Sequence, residues 1–136
     1  MVVIGFNLRR ILVDRKKNIS GKISVRTNID VKEITKEKIE MIKDKEVLSF
    51  DFEFLINYDP EVAKLSFEGN VLIALDSKEA KEILNKWKKK ELPEEVRINL
   101  FNTILSRCSI EALSMEEKMG LPTHFPLPKF TKDQKK

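Results

Sequence analysis

The side chains best suited to nucleophilic and proton-transfer chemistry occur once each, as Cys108 and His124. Together they are the residue types of a thiolate–imidazole site, in which a lowered thiol pKa gives the attacking group. Their settings argue against that use. Cys108 falls on the apolar face of a helical pattern, where a thiol acts as a small hydrophobe. His124 stands among Pro122, Pro126 and Pro128 in an extended segment and reads as structural or exposed. Asp51 and Glu53 are two apart, the types of an acid/base carboxylate pair, but alternating charges on a wet strand face account for them. Ser20-Gly21 and Gly69-Asn70 carry single glycines, not a phosphate-cradling loop. One cysteine permits no internal disulfide and no thiolate zinc cluster. The expectation is a protein that is not an enzyme and uses no metal or cofactor.

Charge is the next candidate for chemistry. The 26 Lys and Arg face 22 Asp and Glu, for a net charge of +4. Arg9-Arg10, Arg15-Lys16-Lys17 and Lys86 to Lys90 could each touch phosphate. Trp87, inside the last stretch, sits on an apolar helix face and reads as core rather than a base-stacking platform. The two signs are mixed along the chain, without an RNA-binding or helix-turn-helix signature. A small basic nucleic-acid-binding or adaptor protein is therefore the alternative function, not the first.

The elements that position these residues are legible in outline. The 136 residues amount to about one domain, assigned to 1–130, with 131–136 a disordered basic tail. No apolar run approaches the roughly 20 residues of a membrane span, and the start lacks a signal-peptide pattern. The expected location is cytoplasmic, without membrane insertion. Phe6 to Arg15 reads as a strand, with Phe6, Leu8 and Leu12 on one side and Ile11 and Val13 on the other. Ile23, Val25, Thr27, Ile29 and Val31 alternate with Ser24, Arg26, Asn28 and Asp30, the period of a strand with one wet face. Residues 34–45 fit a short helix or a crossover and stay open.

The strongest pattern is Leu48, Phe50, Phe52, Phe54, Ile56 and Tyr58, six consecutive alternate positions. A helix would scatter these around its circumference; a strand puts them on one face. Asp59-Pro60 turns the chain, and Ala63, Leu65, Phe67, Val71, Ile73 and Leu75 return it as a hairpin. Gly69 interrupts that row as a bulge would. Asp76 or Ser77 caps a first helix, with Glu79 placed to complete the cap. Pro93 opens a second helix that Gly120 and Pro122 end, about 40 Å long at 1.5 Å per residue.

That second helix is too apolar for one partner. Val96, Leu100, Phe101, Ile104, Leu105, Cys108, Ala112, Met115 and Met119 spread over about half its circumference, against the roughly 100° needed to rest on a sheet. Val71 to Leu75 is apolar on both strand faces. The surplus must meet the tail, a second copy of the chain or a ligand, and a homo-oligomer is expected.

Read in order, the chain resembles the SecB family of export chaperones. Phe6-Asn7-Leu8-Arg9-Arg10-Ile11-Leu12-Val13-Asp14 and Ile23 to Val31 are similar to the family's first two strands. The hairpin 47–75 is similar to its central pair. The long helix followed by Leu121-Pro122 and Phe125-Pro126-Leu127-Pro128-Lys129-Phe130 is similar to its end. The resemblance covers about residues 6 to 130. It implies an α+β fold: a four-stranded antiparallel meander with two C-terminal helices packed on one face, assembled as a dimer of dimers. It also implies ATP-independent holding of unfolded client polypeptides in apolar grooves. By that correspondence the peptide-binding residues are Ile29, Val31, Phe101 and Leu105, with Phe125 and Leu127 from the tail. Family members are strongly acidic, which serves docking to a translocation motor. This chain is basic and ends in Lys132, Lys135 and Lys136, so a solitary chaperone or one tied to a toxin–antitoxin pair is also open.

Overall fold

The computed structural model describes residues 1–39, 44–128 and 130. The alternating segments form β1 (Val2–Arg15), β2 (Ser24–Glu37), β3 (Glu46–Asp59) and β4 (Ala63–Leu75); the helices are α1 (Ser77–Trp87) and α2 (Glu94–Lys118). The strands make one antiparallel sheet in the order β1-β4-β3-β2. The meander holds from β2 to β4, while β1 lies beside β4, on the far edge from β2. The link between Arg15 and Ser24 must therefore cross three strand spacings, about 14 Å, well within its extended reach. It passes the end of the β3–β4 hairpin, where the Lys16 and Lys17 N–H groups donate to the Val62 carbonyl at 2.8 and 3.4 Å.

The Leu48-to-Tyr58 row is buried to within 1% of its surface and forms the centre of the core. Leu65, Phe67, Val71, Ile73 and Leu75 on β4 lie beside it, in register as Ile56↔Leu65, Phe54↔Phe67, Phe50↔Val71 and Leu48↔Ile73. The hairpin turn is closed by the Val62 N–H donating to the Tyr58 carbonyl at 2.8 Å, one residue wider than a four-residue turn. Residues Ile34 to Glu37 continue β2, so the first part of the open segment 34–45 is strand; residues 40–43 lie outside the described residues.

Register shifts change which β1 and β2 side chains face the core. On β1 a shift between Leu8 and Arg10 moves the inward row from Phe6 and Leu8 to Ile11, Val13 and Arg15, which pair with Phe67, Leu65 and Ala63. Ile11 and Val13 thus share a face with Phe6 and Leu8, and Leu12 lies on the other, correcting the alternation expected for this strand. The irregularity expected at Gly69 sits on the partner strand at Arg9. Gly69 itself makes room: a Cβ there would come within 2.0 Å of the Asn7 carbonyl oxygen.

Both helices cover the face that carries the phenylalanines. α1 buries Ala80 and Ile83. Asp76 is its N-cap, but no side-chain cap bond forms; the Asp76 carboxylate instead takes Lys45 Nζ at 2.5 Å, and Ser77 Oγ donates to Glu46. α2 buries Val96, Leu100, Ile104, Cys108, Ala112 and Glu116, each four residues from the last. Four residues turn about 400°, so this stripe winds slowly around α2 and follows the twist of the sheet below. Ile98, Leu105 and Ile110 fall off it and are exposed.

Candidate functional site

Where α1, its loop to α2, the first turns of α2 and the middle of β2 meet, they leave a cavity of about 410 Å³. Its floor is set by the β2 alternation. Ile29 and Val31 pair with Phe54 and Phe52, so they share the inward face, but β2 is an edge strand that the helices only partly cover. The opposite wall is Trp87, the last residue of α1, with Leu92 from the loop and Phe101 from α2. Arg97 and Phe101 are one turn apart on the same face of α2. All five apolar side chains are half-buried and pack on the core, so each has one side in the cavity.

The rim is charged. Lys32, Lys90 and Arg97 line the cavity with Asp30. Lys32 Nζ lies 2.8 Å from Asp30 and 3.6 Å from Glu53, and the hydrogen bond and charge of Asp30 hold its ammonium above the ordinary lysine pKa. Lys90, at φ 59°, closes the end of α1 through its N–H to the Trp87 carbonyl and rests its ammonium 4.7 Å from the Trp87 ring centroid, a cation–π contact. Among the described residues neither Lys90 nor Arg97 forms an ion pair.

The structure brings Ile29, Val31 and Phe101 together in this cavity. Leu105 lies one turn further along α2, 42% exposed and outside the lining; Phe125 and Leu127 are exposed in the tail and also outside it. Sequence reasoning missed Trp87, Leu92 and Arg97. Trp87 reads correctly as an apolar helix residue, but its position at the last turn of α1, where a helix end leaves a ring half covered, is the signal that was available.

The tail is fixed instead by a buried polar cluster. His124 and Glu116 side chains are 3% and 0% exposed, with Nδ1 2.9 Å from Oε2. His124 Nε2 lies 3.0 Å from Ser109 Oγ, and the Tyr58 hydroxyl is 2.6 Å from Glu116 Oε2 and 2.5 Å from the Pro122 carbonyl oxygen. One tautomer serves the His124 ring: Ser109 O–H donates to Nε2 and Nδ1–H donates to the carboxylate, while the single Tyr58 O–H proton is shared between that carboxylate and the Pro122 carbonyl. Burial and the Glu116 charge push the Tyr58 hydroxyl pKa far above the ordinary tyrosine value. Ser109, His124 and Glu116 have the contact order of an acyl-transfer triad, but Ser109 sits inside α2, whose ladder occupies the surrounding backbone N–H groups and leaves none to hold an oxyanion. The cluster joins β3, α2 and the tail, and Arg15 Nη1 adds a bond to the Met119 carbonyl at 2.6 Å. Cys108 is fully buried, and burial raises its thiol pKa to about 12, the setting of a core side chain.

The other basic stretches are partly neutralised. Arg9 pairs with Asp51 at 3.4 Å and Arg10 with Glu68 at 3.2 Å on the sheet face turned away from the helices. Asp51 is thereby engaged, and Glu53 faces Lys32 at 3.6 Å and accepts from Ser66 at 2.9 Å. Among the described residues no group of three or more potential metal ligands forms, and no helix is long and apolar enough to cross a membrane.

No family model matches the sequence, and no curated protein matches it at a significant level. The fold does have a solved counterpart. A SecB-like chaperone of Mycobacterium tuberculosis, in complex with a ChAD peptide from an antitoxin, aligns with TM-score 0.54 and 11% sequence identity over 97% of this chain and 91% of that one. An identity this low speaks to architecture, and the architecture is that of the SecB-like chaperones.

Proposed function

We propose that this protein is an ATP-independent holding chaperone, taking extended apolar segments of non-native polypeptides into the groove between β2 and the helices. The observation that carries the reading is the apolar lining of that groove: Ile29, Val31, Trp87, Leu92 and Phe101 each keep one side uncovered around a cavity of about 410 Å³. A cavity of that size accepts one or two large side chains, and burying each is worth about 1.5–3 kcal/mol. The neighbouring edge of β2 has no strand partner among the described residues, so an inserted chain also meets free backbone groups. The solved SecB-like counterpart holds a peptide, which supports the same use here and a toxin–antitoxin client as one case.

The proposal includes self-assembly, as a dimer of dimers in the pattern of the family. Ile98, Leu105 and Ile110 on α2 and Val2, Val3, Ile4 and Ile11 on β1 are large, apolar and exposed. The described part of the tail leaves them exposed, and its own Phe125, Leu127 and Phe130 are exposed too. A cytoplasmic location and service to export belong to the same proposal. The nucleic-acid alternative is less favoured, because Arg9, Arg10 and Lys32 already face carboxylates.

Light scattering tests it. A chemically unfolded client is diluted into buffer with and without the protein and without nucleotide, at low and high salt. Scattering is expected to fall at near-stoichiometric ratios in both salts, since apolar burial dominates. A client that aggregates as fast as it does alone contradicts the proposal.

A further inference from the structure

The rim of the groove carries more positive than negative charge, and the negative charge is already occupied. Among the described residues Asp30 is the single carboxylate in the lining, and Lys32 is bound to it at 2.8 Å. Lys32 also reaches Glu53 at 3.6 Å, so one ammonium is shared between two carboxylates and has little left for a ligand. Lys90 and Arg97 have no such partner among the described residues. Both stand beside the apolar floor: Lys90 against the Trp87 ring at 4.7 Å, Arg97 one turn before Phe101. A guanidinium donates two parallel N–H bonds to a carboxylate, and next to a partly dry surface that pairing is screened less than in open water.

An extended chain in this groove inserts alternate side chains towards the floor and turns their neighbours to the rim, at about 3.3 Å per residue. The residues flanking an inserted aromatic or aliphatic side chain therefore meet Lys90 and Arg97. Resting on the groove reading above, we propose that this chaperone selects segments in which acidic residues flank a large apolar one, and discriminates against the same segments with basic flanks. The rim supplies the sign of the choice; the floor supplies the apolar attraction common to both.

The chain has one tryptophan, Trp87, and it lies in the groove, so its fluorescence reports occupancy. The full chain is titrated with three tryptophan-free peptides sharing one Leu-Phe-Leu core, flanked by Glu, Gln or Lys. The expected order of affinity is Glu, then Gln, then Lys, with at least about tenfold between the extremes at low salt. That ratio shrinks towards one at 1 M salt, where the screening length is about 3 Å. Arg97→Glu, a change at an exposed helix position, is expected to bring the ratio to one or reverse it. Three equal affinities in the parent protein overturn the proposed selectivity and leave the groove reading intact. No fluorescence response to any peptide overturns both. A single-stranded oligonucleotide that displaces the Glu-flanked peptide at lower concentration than free peptide does also overturns the proposal, by making phosphate the preferred anion.

Discussion

Gly69→Ala is expected to lower the melting temperature by at least about 10 °C. The methyl group would sit 2.0 Å from the Asn7 carbonyl oxygen and 3.0 Å from Leu8 Cα. Those are backbone atoms of β1, so no rotamer change relieves the collision. Gly69 also lies on an interior strand, paired with Leu8 on one side and Phe52 on the other, so β4 cannot step aside without opening a second ladder. Overpacking of this kind costs about 3 kcal/mol or more, and at this chain length each kcal/mol is about 3–5 °C. Gly21→Ala is the control. No atom lies within 4 Å of its added Cβ, but its φ of +74° is unfavourable for alanine, a cost of about 1 kcal/mol. If Gly69→Ala melts no lower than Gly21→Ala, the close approach of β1 to β4 is not a feature of the folded protein.

Removing the carboxylate at position 116 should be nearly as damaging, and should release the tail. In Glu116→Ala the His124 Nδ1–H loses its buried acceptor, and a fully buried side-chain volume is emptied. The two effects together cost about 3–5 kcal/mol. Tyr58→Phe is expected to cost less, about 1 kcal/mol, because Glu116 keeps its bond to His124. Thermal melts rank the variants. Limited proteolysis shows whether Glu116→Ala is cut after Leu121 while the parent protein is not. Tyr58 adds a pH signature. Its folded pKa is raised above the ordinary value of 10.0, so its contribution is complete below pH 10 and is lost as pH rises beyond it. Parent stability should therefore fall above about pH 10, and Tyr58→Phe should flatten that limb. A Glu116→Ala protein with an unchanged melt would mean that the tail is held by apolar contacts alone.

Much of the fold was readable because β3 carries an unbroken period-two pattern and β4 one interrupted only at Gly69, and because Gly120 and Pro122 stop α2 where the structure stops it. The partner of β1 was not readable. Period-two alternation says which face a strand buries but not which neighbour it pairs with, and the link from Arg15 to Ser24 is long enough to reach either edge. The shift at Arg9 was hidden for a related reason. Gly69 gave a local sign of irregularity, yet the extra residue belongs to the strand opposite it. At the site, Ile29, Val31 and Phe101 came from the family resemblance and meet in space. Arg97 and Lys90 did not, since charge in a helix turn reads as solvated until a tryptophan is found beneath it. His124 looked idle for lack of a partner in sequence; Glu116 sits eight residues away across a turn, on what reads as the end of an amphipathic helix.

The central claim is that non-native chains are held in the β2–α2 groove. Its most direct test is the scattering assay run on Val31→Asp and on Lys64→Asp, an exposed charge change on β4, both confirmed folded by circular dichroism. A carboxylate at position 31 faces the cavity beside Trp87 and Phe101 and should abolish suppression of aggregation, while Lys64→Asp should suppress as well as the parent. Equal suppression by both variants would place client binding elsewhere on the protein and contradict the account.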